Sequence, residues 1–395
     1  MLPTQTRVLR LNDVSKQSFL TAVSLHSHTL HSHESLDLLP LHAQRIPVIG
    51  SIVRSELRAY EKRNGYSLDF RRAWWTPPLS PAQVRDSERA QIEALGMAAF
   101  VSVTDHDSIQ AGLDLQAQSA RIAPISVEWS LPIAGDCLHI GVHNLPSAEA
   151  VALMAEMARY TANPRPAELC NLLALLTSSP DTLLVLNHPC WDVNRAGSAE
   201  HNAAVRELLT QGEPWIHSLE VNGLRSWTEN RAALQLAENY GLPTVAGGDR
   251  HGCRPNAVLN LTRASSFAEF VAEVRGDRHS DVLILPSYDE PLALRQLETV
   301  ADAVRRYPKH PHGRRGFTSR TFIDLEGYSA HPLSFYWDEG APIWLRPVLA
   351  TIVALGSDKS RRLMRPAFRR TERDLIVPSP QTAPPTPLQE QSLQS

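Results

Sequence analysis

The sequence predicts an α/β protein whose parallel strands close into a barrel. Eight short runs of Val, Ile and Leu lie between residues 22 and 285, each four or five residues long. Amphipathic stretches of helical period separate them, an alternation typical of βαβ units. Runs that are apolar throughout suit strands buried on both faces, which favours a closed barrel. The runs are 22–25, 100–103, 124–127, 138–142, 183–186, 218–221, 243–246 and 282–285.

Two of the intervening stretches carry clear helix boundaries. Ser80 precedes Pro81, an arrangement typical of an N-cap followed by proline at the first helical position. Gly96 then provides a typical helix end. A second helix is predicted over 227–240 because Gly241 follows it.

Composition excludes several classes of protein. Apolar residues make up 43% and charged residues 21% of the 395 residues, so the chain is not collagen-like or wholly disordered. Four cysteines without a CxxC spacing argue against a secreted disulfide scaffold and a Cys₄ zinc site. No apolar leader opens the chain, and the apolar segment 343–355 is too short to span a bilayer. We therefore expect a cytoplasmic protein without a membrane partner.

Charge divides the chain into parts. Residues 291–377 carry 15 Lys and Arg against 9 Asp and Glu, whereas residues 1–290 carry 24 against 32. This shift predicts a barrel domain over 20–290, preceded by a lead-in over 1–19 and followed by a basic extension over 291–377. The tail 378–395 is rich in Pro, Gln and Ser and is expected to be disordered.

Candidate metal ligands follow nearly every apolar run. In His26-x-His28 the two imidazoles share one face of an extended chain, and Asp249-x-His251 repeats that spacing. The carboxyl ends of barrel strands meet on one rim, so we expect these side chains to converge on a multinuclear metal site. A set rich in imidazole suits Zn, Mn or Fe. The other members are His31, His33, Asp105, His106, Asp107, Glu128, His139, His143 and His188.

In order and approximate spacing, these motifs resemble those of the PHP (polymerase and histidinol phosphatase) superfamily over roughly residues 20–290. The resemblance implies a distorted (β/α)7 barrel with a trinuclear metal centre that hydrolyses phosphate esters. The fourth run would then be a hairpin strand beside the barrel, and 36–79 would be an insertion. The matching motifs are His26-x-His28-Thr29 with Ser32, Thr104-Asp105-His106-Asp107, Val127-Glu128, Asn187-His188-Pro189 and Gly248-Asp249-x-His251.

The resemblance also implies a set of ligands for three divalent ions. One ion would be held by His26, His28, Glu128 and Asp249, and Glu128 would bridge to a second held by His139 and His188. The third would be held by His33, His106 and His251. Asp105 and Asp107 look like groups that orient His106. His143 is the alternative to His139 as a ligand and, with His31, a candidate general acid.

Charge counting suggests the chemistry. Three divalent ions, two carboxylates and a bridging hydroxide leave about +3, which would attract a phosphate dianion. We therefore expect in-line attack on phosphorus by a hydroxide that bridges two ions. The substrate would be a small phosphomonoester or nucleotide. The alternatives are an exonuclease or phosphodiesterase acting on nucleic acid, which is not favoured, and a catalytically silent metal-binding module.

Arginines near the strand ends are candidate phosphate contacts, because a guanidinium binds phosphate oxygens bidentately. Arg250 lies between two predicted ligands and is the candidate for a catalytic contact, and the others are Arg254, Arg195 and Arg225. The insertion contains Trp74 and Trp75, which could form a wall over the substrate or a surface flap.

Overall fold

The computed structural model describes residues 4–14, 19–37, 47–65, 67, 69–118, 123–193, 196–310, 313, 316–325, 330–336, 343 and 345–369. Within these ranges the protein is α/β, as predicted. The strands are β1 Gln5–Arg10, β2 Thr21–Ser24, β3 Glu34–Ser35, β4 Ala73–Trp75, β5 Ala98–Val101, β6 Ile125–Ile133, β7 Asp136–Leu145, β8 Leu183–Leu186, β9 Ser218–Asn222, β10 Thr244–Gly247, β11 Val258–Thr262, β12 His279–Ile284, β13 Thr321–Ile323 and β14 His331–Pro332.

Helices connect many of the strands and make up most of the described residues of the extension. They are α1 Pro47–Asn64, α2 Pro81–Ala94, α3 Gln110–Gln118, α4 Ala150–Ala162, α5 Pro166–Leu176, α6 Ser198–Gln211, α7 Trp227–Asn239, α8 Phe267–Arg275, α9 Leu292–Val304, α10 Phe317–Arg320, α11 Leu333–Tyr336, α12 Leu345–Leu355 and α13 Asp358–Arg369. The two predicted helix starts are confirmed. Ser80 caps α2 and Ser226 caps α7, each in a capping box with the residue three positions on. No helix in the described part of the chain combines the length and apolar character needed to cross a membrane.

The strands form three sheets. The first has the order β1-β12-β11-β2-β5, the second β10-β9-β8-β7-β6, and a small third sheet β14-β13-β4-β3. All eight predicted apolar runs overlap strands of the first two sheets. The strand β1 lies in the predicted lead-in 1–19, where it pairs in parallel with β12. The sheet therefore begins before the predicted boundary at residue 20, and the tail 378–395 lies outside the described residues.

The expectation that the apolar runs would all form parallel strands is wrong for β7. This strand pairs antiparallel with both β6 and β8. The fourth run is thus a hairpin strand, as expected, but it lies inside the sheet and not beside it. The turn explains the reversal, because Ala134 and Gly135 both have positive φ, of 50° and 81°. Two such residues in succession make the tight turn that suits a two-residue hairpin.

The first two sheets contact each other at the carboxyl ends of their strands. After β2 and β10, Ser27 forms a parallel bridge with Arg250, and the Gly248 amide donates to the Leu25 carbonyl at 3.0 Å. After β5, His106 forms a parallel bridge with Glu128, which lies within β6. These contacts bring the ligand-bearing segments of both sheets together. The strand ladders themselves give two open five-stranded sheets, and the closed barrel stays a prediction.

The small sheet joins three distant parts of the chain. Strand β3 follows the first histidine motif, β4 belongs to the predicted insertion 36–79, and β13 and β14 belong to the extension. In register, Trp75 lies opposite Glu34 on one side and opposite Thr321 on the other. The insertion and the extension therefore combine into one structure beside the first histidine motif.

Candidate metal centre

Three of the predicted ligands have an unusual backbone conformation where their strands end. His26 follows β2 with a φ of 60°, His188 follows β8 with 29°, and Asp249 follows β10 with 53°. Positive φ is uncommon for residues other than glycine and is concentrated at functional sites. The unusual backbone at these three strand ends therefore supports a functional site where they meet.

Glu128 lies at the middle of the cluster, fully buried within β6. Five imidazoles lie around its two oxygens. His26 Nε2, His28 Nε2 and His106 Nδ1 lie 3.1, 3.3 and 3.3 Å from Oε2, and His139 Nδ1 and His188 Nε2 lie 3.3 and 3.1 Å from Oε1. A carboxylate with ligand atoms on both sides is suited to bridge two ions.

Asp249 extends the cluster on the side of the first motif. Its Oδ1 lies 3.8 Å from His26 Nε2, 3.7 Å from His28 Nε2 and 3.5 Å from His251 Nδ1. The imidazoles of His28 and His251 are stacked, with ring centroids 4.1 Å apart. His26, His28 and Asp249 form a group whose ligand atoms all lie within 4.8 Å of one another.

The third group contains Glu34, which sequence reasoning missed. Its carboxylate oxygens lie 2.9 Å from His251 Nε2, 3.5 Å from His106 Nε2 and 3.5 Å from His28 Nδ1. The predicted ligand His33 is exposed and stacks on Trp74 at 4.8 Å between centroids. Successive side chains of an extended chain point to opposite faces, so only one of these neighbours can face the cluster. Glu34 thus takes the place predicted for His33.

The residues present fit metal ions. Among the buried polar atoms without a hydrogen-bond partner are His26 Nε2, His28 Nε2, His139 Nδ1 and Glu128 Oε2, and all four lie in the cluster. Leaving a buried polar group unsatisfied costs about 1–3 kcal/mol, so four together indicate a missing partner. Six imidazoles and three carboxylates make a donor set that suits Zn, Mn or Fe.

Charge within the cluster keeps its carboxylates ionised, whereas it shifts the imidazoles in both directions, since, despite burial, facing carboxylates raise the pKa of His26, of His139 and of His251, the last to about 9. Burial alone would raise the pKa of Glu128, but the facing charges of His26, His106 and His139 hold it well below its usual range. Burial lowers the pKa of His28 to about 4, and the charge of His251 adds to this. Ionised carboxylates and neutral imidazoles are the forms that bind metal.

Glu220 is a second residue that sequence reasoning missed. It lies fully buried in the predicted run 218–221, and a carboxylate inside an apolar run was the available signal. Its Oε1 lies 2.5 Å from His26 Nδ1, and its Oε2 accepts from the His188 amide at 2.8 Å. Histidines that bind metal usually donate their other ring nitrogen to such a partner, which fixes the tautomer. Glu220 therefore orients two candidate ligands.

Asp105 and Asp107 do not orient His106. The Asp105 carboxylate accepts from the Thr29 amide and hydroxyl at 2.5 and 2.7 Å, and burial raises its pKa to about 7. Asp107 accepts from the Ser130 amide at 2.8 Å. His106 is instead held through its own amide, which donates to Ser32 Oγ at 3.1 Å. Both aspartates fix the loops that carry ligands.

Of the two candidates on β7, His139 is in the cluster and His143 is not. His143 Nδ1 lies 2.8 Å from Ser102 Oγ, and burial lowers the pKa of its imidazole to about 3. A buried neutral imidazole has no proton to spare as a general acid, so the prediction of a catalytic role for His143 is not supported. The other acid candidate, His31, pairs with Asp114 on α3, 2.9 Å away.

The predicted arginines differ in position. Arg250 points into a buried ion pair, 3.0 Å from Glu88 on α2. Arg254 pairs with Glu298, 2.5 Å away, and with Asp358. Arg195 lies outside the described residues. Among the described three, Arg225 is the one whose guanidinium bonds to a candidate ligand, because it donates to Asp249 Oδ2 at 3.1 Å.

Comparisons with known proteins gave structural likenesses only. No protein-family profile and no curated protein matches the chain. The chain is similar to an amidohydrolase from Chromobacterium violaceum (16% identity, 45% of this chain and 89% of that chain, TM-score 0.31). It is also similar to a proposed metal-dependent phosphoesterase from Bifidobacterium adolescentis (14%, 50% and 91%, 0.30) and to PsfC from Pseudomonas syringae (14%, 68% and 93%, 0.30). Because these TM-scores are low, the likenesses carry no argument about the candidate metal centre.

Proposed function

We propose that this chain is a metal-dependent hydrolase that releases phosphate from a small phosphomonoester. The observation that carries the proposal is the buried convergence of six imidazoles and three carboxylates in overlapping groups. The overlap favours three ions: one at His26, His28 and Asp249, a second at Glu128, His139 and His188, and a third at Glu34, His106 and His251. Divalent ions bound there would polarise a phosphoryl oxygen and lower the pKa of water toward about 7.

Charge favours a phosphate over a neutral ester. Three divalent ions against three carboxylates leave about +3, which attracts a dianion into a water-poor site. Arg225 is held beside Asp249 with its guanidinium carbon 3.2 Å from the centre of the Trp191 ring, so it is fixed at this edge of the centre. We assign it to bind a phosphoryl oxygen.

We also infer that β2, β5, β6, β7, β8, β9 and β10 form one distorted seven-stranded ring. The bridges Ser27–Arg250 and His106–Glu128 support this, because they lie at the two seams between the first and second sheets. Such a ring would agree with the motif resemblance to the PHP superfamily.

Phosphate release from a panel of esters tests the function. We expect the full chain, loaded with Zn or Mn, to hydrolyse glycerol 3-phosphate, ribose 5-phosphate or AMP faster than an oligonucleotide. Asp249→Asn should lower kcat/KM at least 100-fold and reduce bound metal, because it removes a ligand. Glu168→Gln is the matched control, since this half-buried surface carboxylate pairs with Arg159 and Arg165 and lies on α5, apart from the candidate ligands. Full metal occupancy without turnover of any ester would contradict the proposal and favour the silent module.

A further inference from the structure

The small sheet has one face toward the metal centre. Residues directly opposite in an antiparallel pair lie on the same face, and neighbours along a strand lie on opposite faces. Glu34 and Thr321 both pair with Trp75, so these three share a face. The Glu34 carboxylate lies 2.9 Å from His251 Nε2. Trp75 is thus on the face turned to the candidate ligands.

The opposite face holds the strand in place. Trp74 stacks between two rings, with its centroid 4.8 Å from that of His33 and 5.6 Å from that of Phe322. One partner comes from the first histidine motif and the other from the extension. Strand β4 is therefore fixed from both sides, and Trp75 is presented at a defined position.

Trp75 lies at the open side of the centre. His26, His28 and Glu128 are no more than 1% exposed, whereas the side chains of His106 and His251 are 17% and 13% exposed. Substrate must reach the centre from the side of the more exposed imidazoles. The Trp75 ring lies 6.3 Å from the His251 ring, between centroids, on this side.

Part of the Trp75 side chain is also accessible to a ligand. Its ring is half-buried, and its indole N–H makes no hydrogen bond within the described part of the chain. Trp191, at the other end of the centre, lies 5.0 Å from His188, but the guanidinium of Arg225 covers its face. Of these two tryptophans beside candidate ligands, Trp75 is the one with a ring face to bind substrate.

We propose that Trp75 is a specificity-determining residue that stacks on a planar aromatic ring in the alcohol part of the substrate, as in a nucleoside monophosphate. This inference rests on the proposed phosphomonoesterase function. The Trp75 ring lies 6.3 Å, between centroids, from that of the candidate ligand His251, and one pentose separates the phosphate of a nucleotide from its base. Stacking of a base on an aromatic side chain strengthens binding about tenfold or more.

AMP and ribose 5-phosphate form the matched test, because they differ only in the base. We expect Trp75→Leu to raise the KM for AMP about tenfold and to leave kcat within about twofold. The KM for ribose 5-phosphate should not change, and Trp75→Phe should retain most of the preference for AMP. An equal rise in KM for both esters would indicate a structural role and overturn the inference, as would no rise for either.

The two proposals fail in distinguishable ways. If the wild-type protein hydrolyses ribose 5-phosphate with the same kcat/KM as AMP, the phosphomonoesterase function stands and the role of Trp75 is wrong. If it hydrolyses neither of these nor glycerol 3-phosphate, the function fails, and equilibrium dialysis of AMP against the metal-loaded protein decides the role of Trp75. Binding of AMP that Trp75→Leu weakens about tenfold would support the role, and unchanged or absent binding would overturn it.

Discussion

Two of the candidate ligands depend on one neighbour that fixes their orientation, Glu220. It accepts from His26 Nδ1, from the His188 amide and from Asn222 Nδ2, the last at 2.8 Å. All three partners donate, so only a carboxylate, which is an acceptor on both oxygens, satisfies them. Two candidate ligands on different strands are thus held by one side chain.

Glu220→Gln is expected to weaken metal binding about 10- to 100-fold without unfolding the protein. The amide NH₂ of glutamine would face either His26 Nδ1 or the His188 amide, both of which donate. The resulting clash of donors would disturb the position of one of these candidate ligands. Competition with a chelator at fixed pH measures the change in affinity. The exposed Glu213 provides the matched control, because Glu213→Gln makes the same chemical change at the surface. Equal affinities for both variants would contradict the positioning role.

Glu34 and His33 offer a second comparison at this scale. Glu34→Gln should lower the number of bound ions and weaken the remaining binding at least tenfold, because its carboxylate faces three imidazoles of the cluster. His33→Gln should keep the full number of ions, since that side chain stacks on Trp74. Metal content by mass spectrometry after dialysis distinguishes them. Loss of an ion from the His33 variant alone would restore the ligand set that the sequence predicted.

At the scale of elements, the end of β10 is constrained by side chains from other strands. A Cβ on Gly247 would lie 1.6 Å from Glu220 Oε1, and a Cβ on Gly248 would lie 1.8 Å from Asn256 Oδ1. The sequence predicts that these glycines serve a tight turn or the close approach of a ligand. In the structure they make room for polar side chains that support the first motif, because Asn256 donates to Ser24 Oγ at 2.7 Å.

Gly248→Ala should therefore destabilise the protein by about 1–3 kcal/mol, the usual cost of overpacking a buried site. Gly316→Ala is the control, because the nearest atom to its added Cβ lies 3.7 Å away. Urea unfolding of both variants measures the difference in the free energy of unfolding. A Gly248 variant as stable as the control would show that Asn256 can move aside at no cost.

Strands that are uniformly apolar because they are buried on both faces could be predicted from the sequence. Strands that contain polar residues, or that form only through long-range pairing, could not. The run at β8 is buried throughout and was predicted to the residue. Strand β11 was missed because it contains Asn260, whose side chain is buried and bonds to the Ala246 amide and carbonyl. The small sheet could not be predicted, since Glu34, Trp75 and Phe322 meet only through long-range pairing. For the same reason Glu34 was missed as a candidate ligand, whereas the eight other candidates of the cluster follow or lie within the predicted apolar runs.

Over the whole molecule, a buried cation of the basic extension helps to attach it to the preceding domain. Arg361 is buried on α13 and bonds to Glu290, Glu298 and Asp358. Glu298 also pairs with Arg254, in the loop that follows His251. Ion pairs thus use part of the positive charge to attach the extension beside the metal centre. The alternative of a nucleic-acid surface there has correspondingly fewer exposed cations to draw on.

The stability of the whole molecule depends on pH, and we expect His217 to lower it in acid. Its Nδ1 accepts from the Leu184 amide at 3.0 Å, so β8 and β9 are joined through the neutral imidazole. Burial, aided by the charge of Arg275, lowers the pKa of His217 from 6.5 to about 3. The unfolded chain therefore binds a proton that the folded chain rejects, and stability falls as the pH drops below about 6.5 toward 3.

We expect His217→Gln to remove this contribution, because its side-chain oxygen can still accept from Leu184 but does not titrate. Between pH 7 and pH 5 the free energy of unfolding of the wild-type protein should fall about 2 kcal/mol further than that of the variant. Urea unfolding at pH 7, 6 and 5 measures both. His143, also buried with a pKa of about 3, is present in both proteins and cancels in the comparison. Parallel pH profiles would mean that the imidazole of His217 becomes protonated without disrupting its bond to β8.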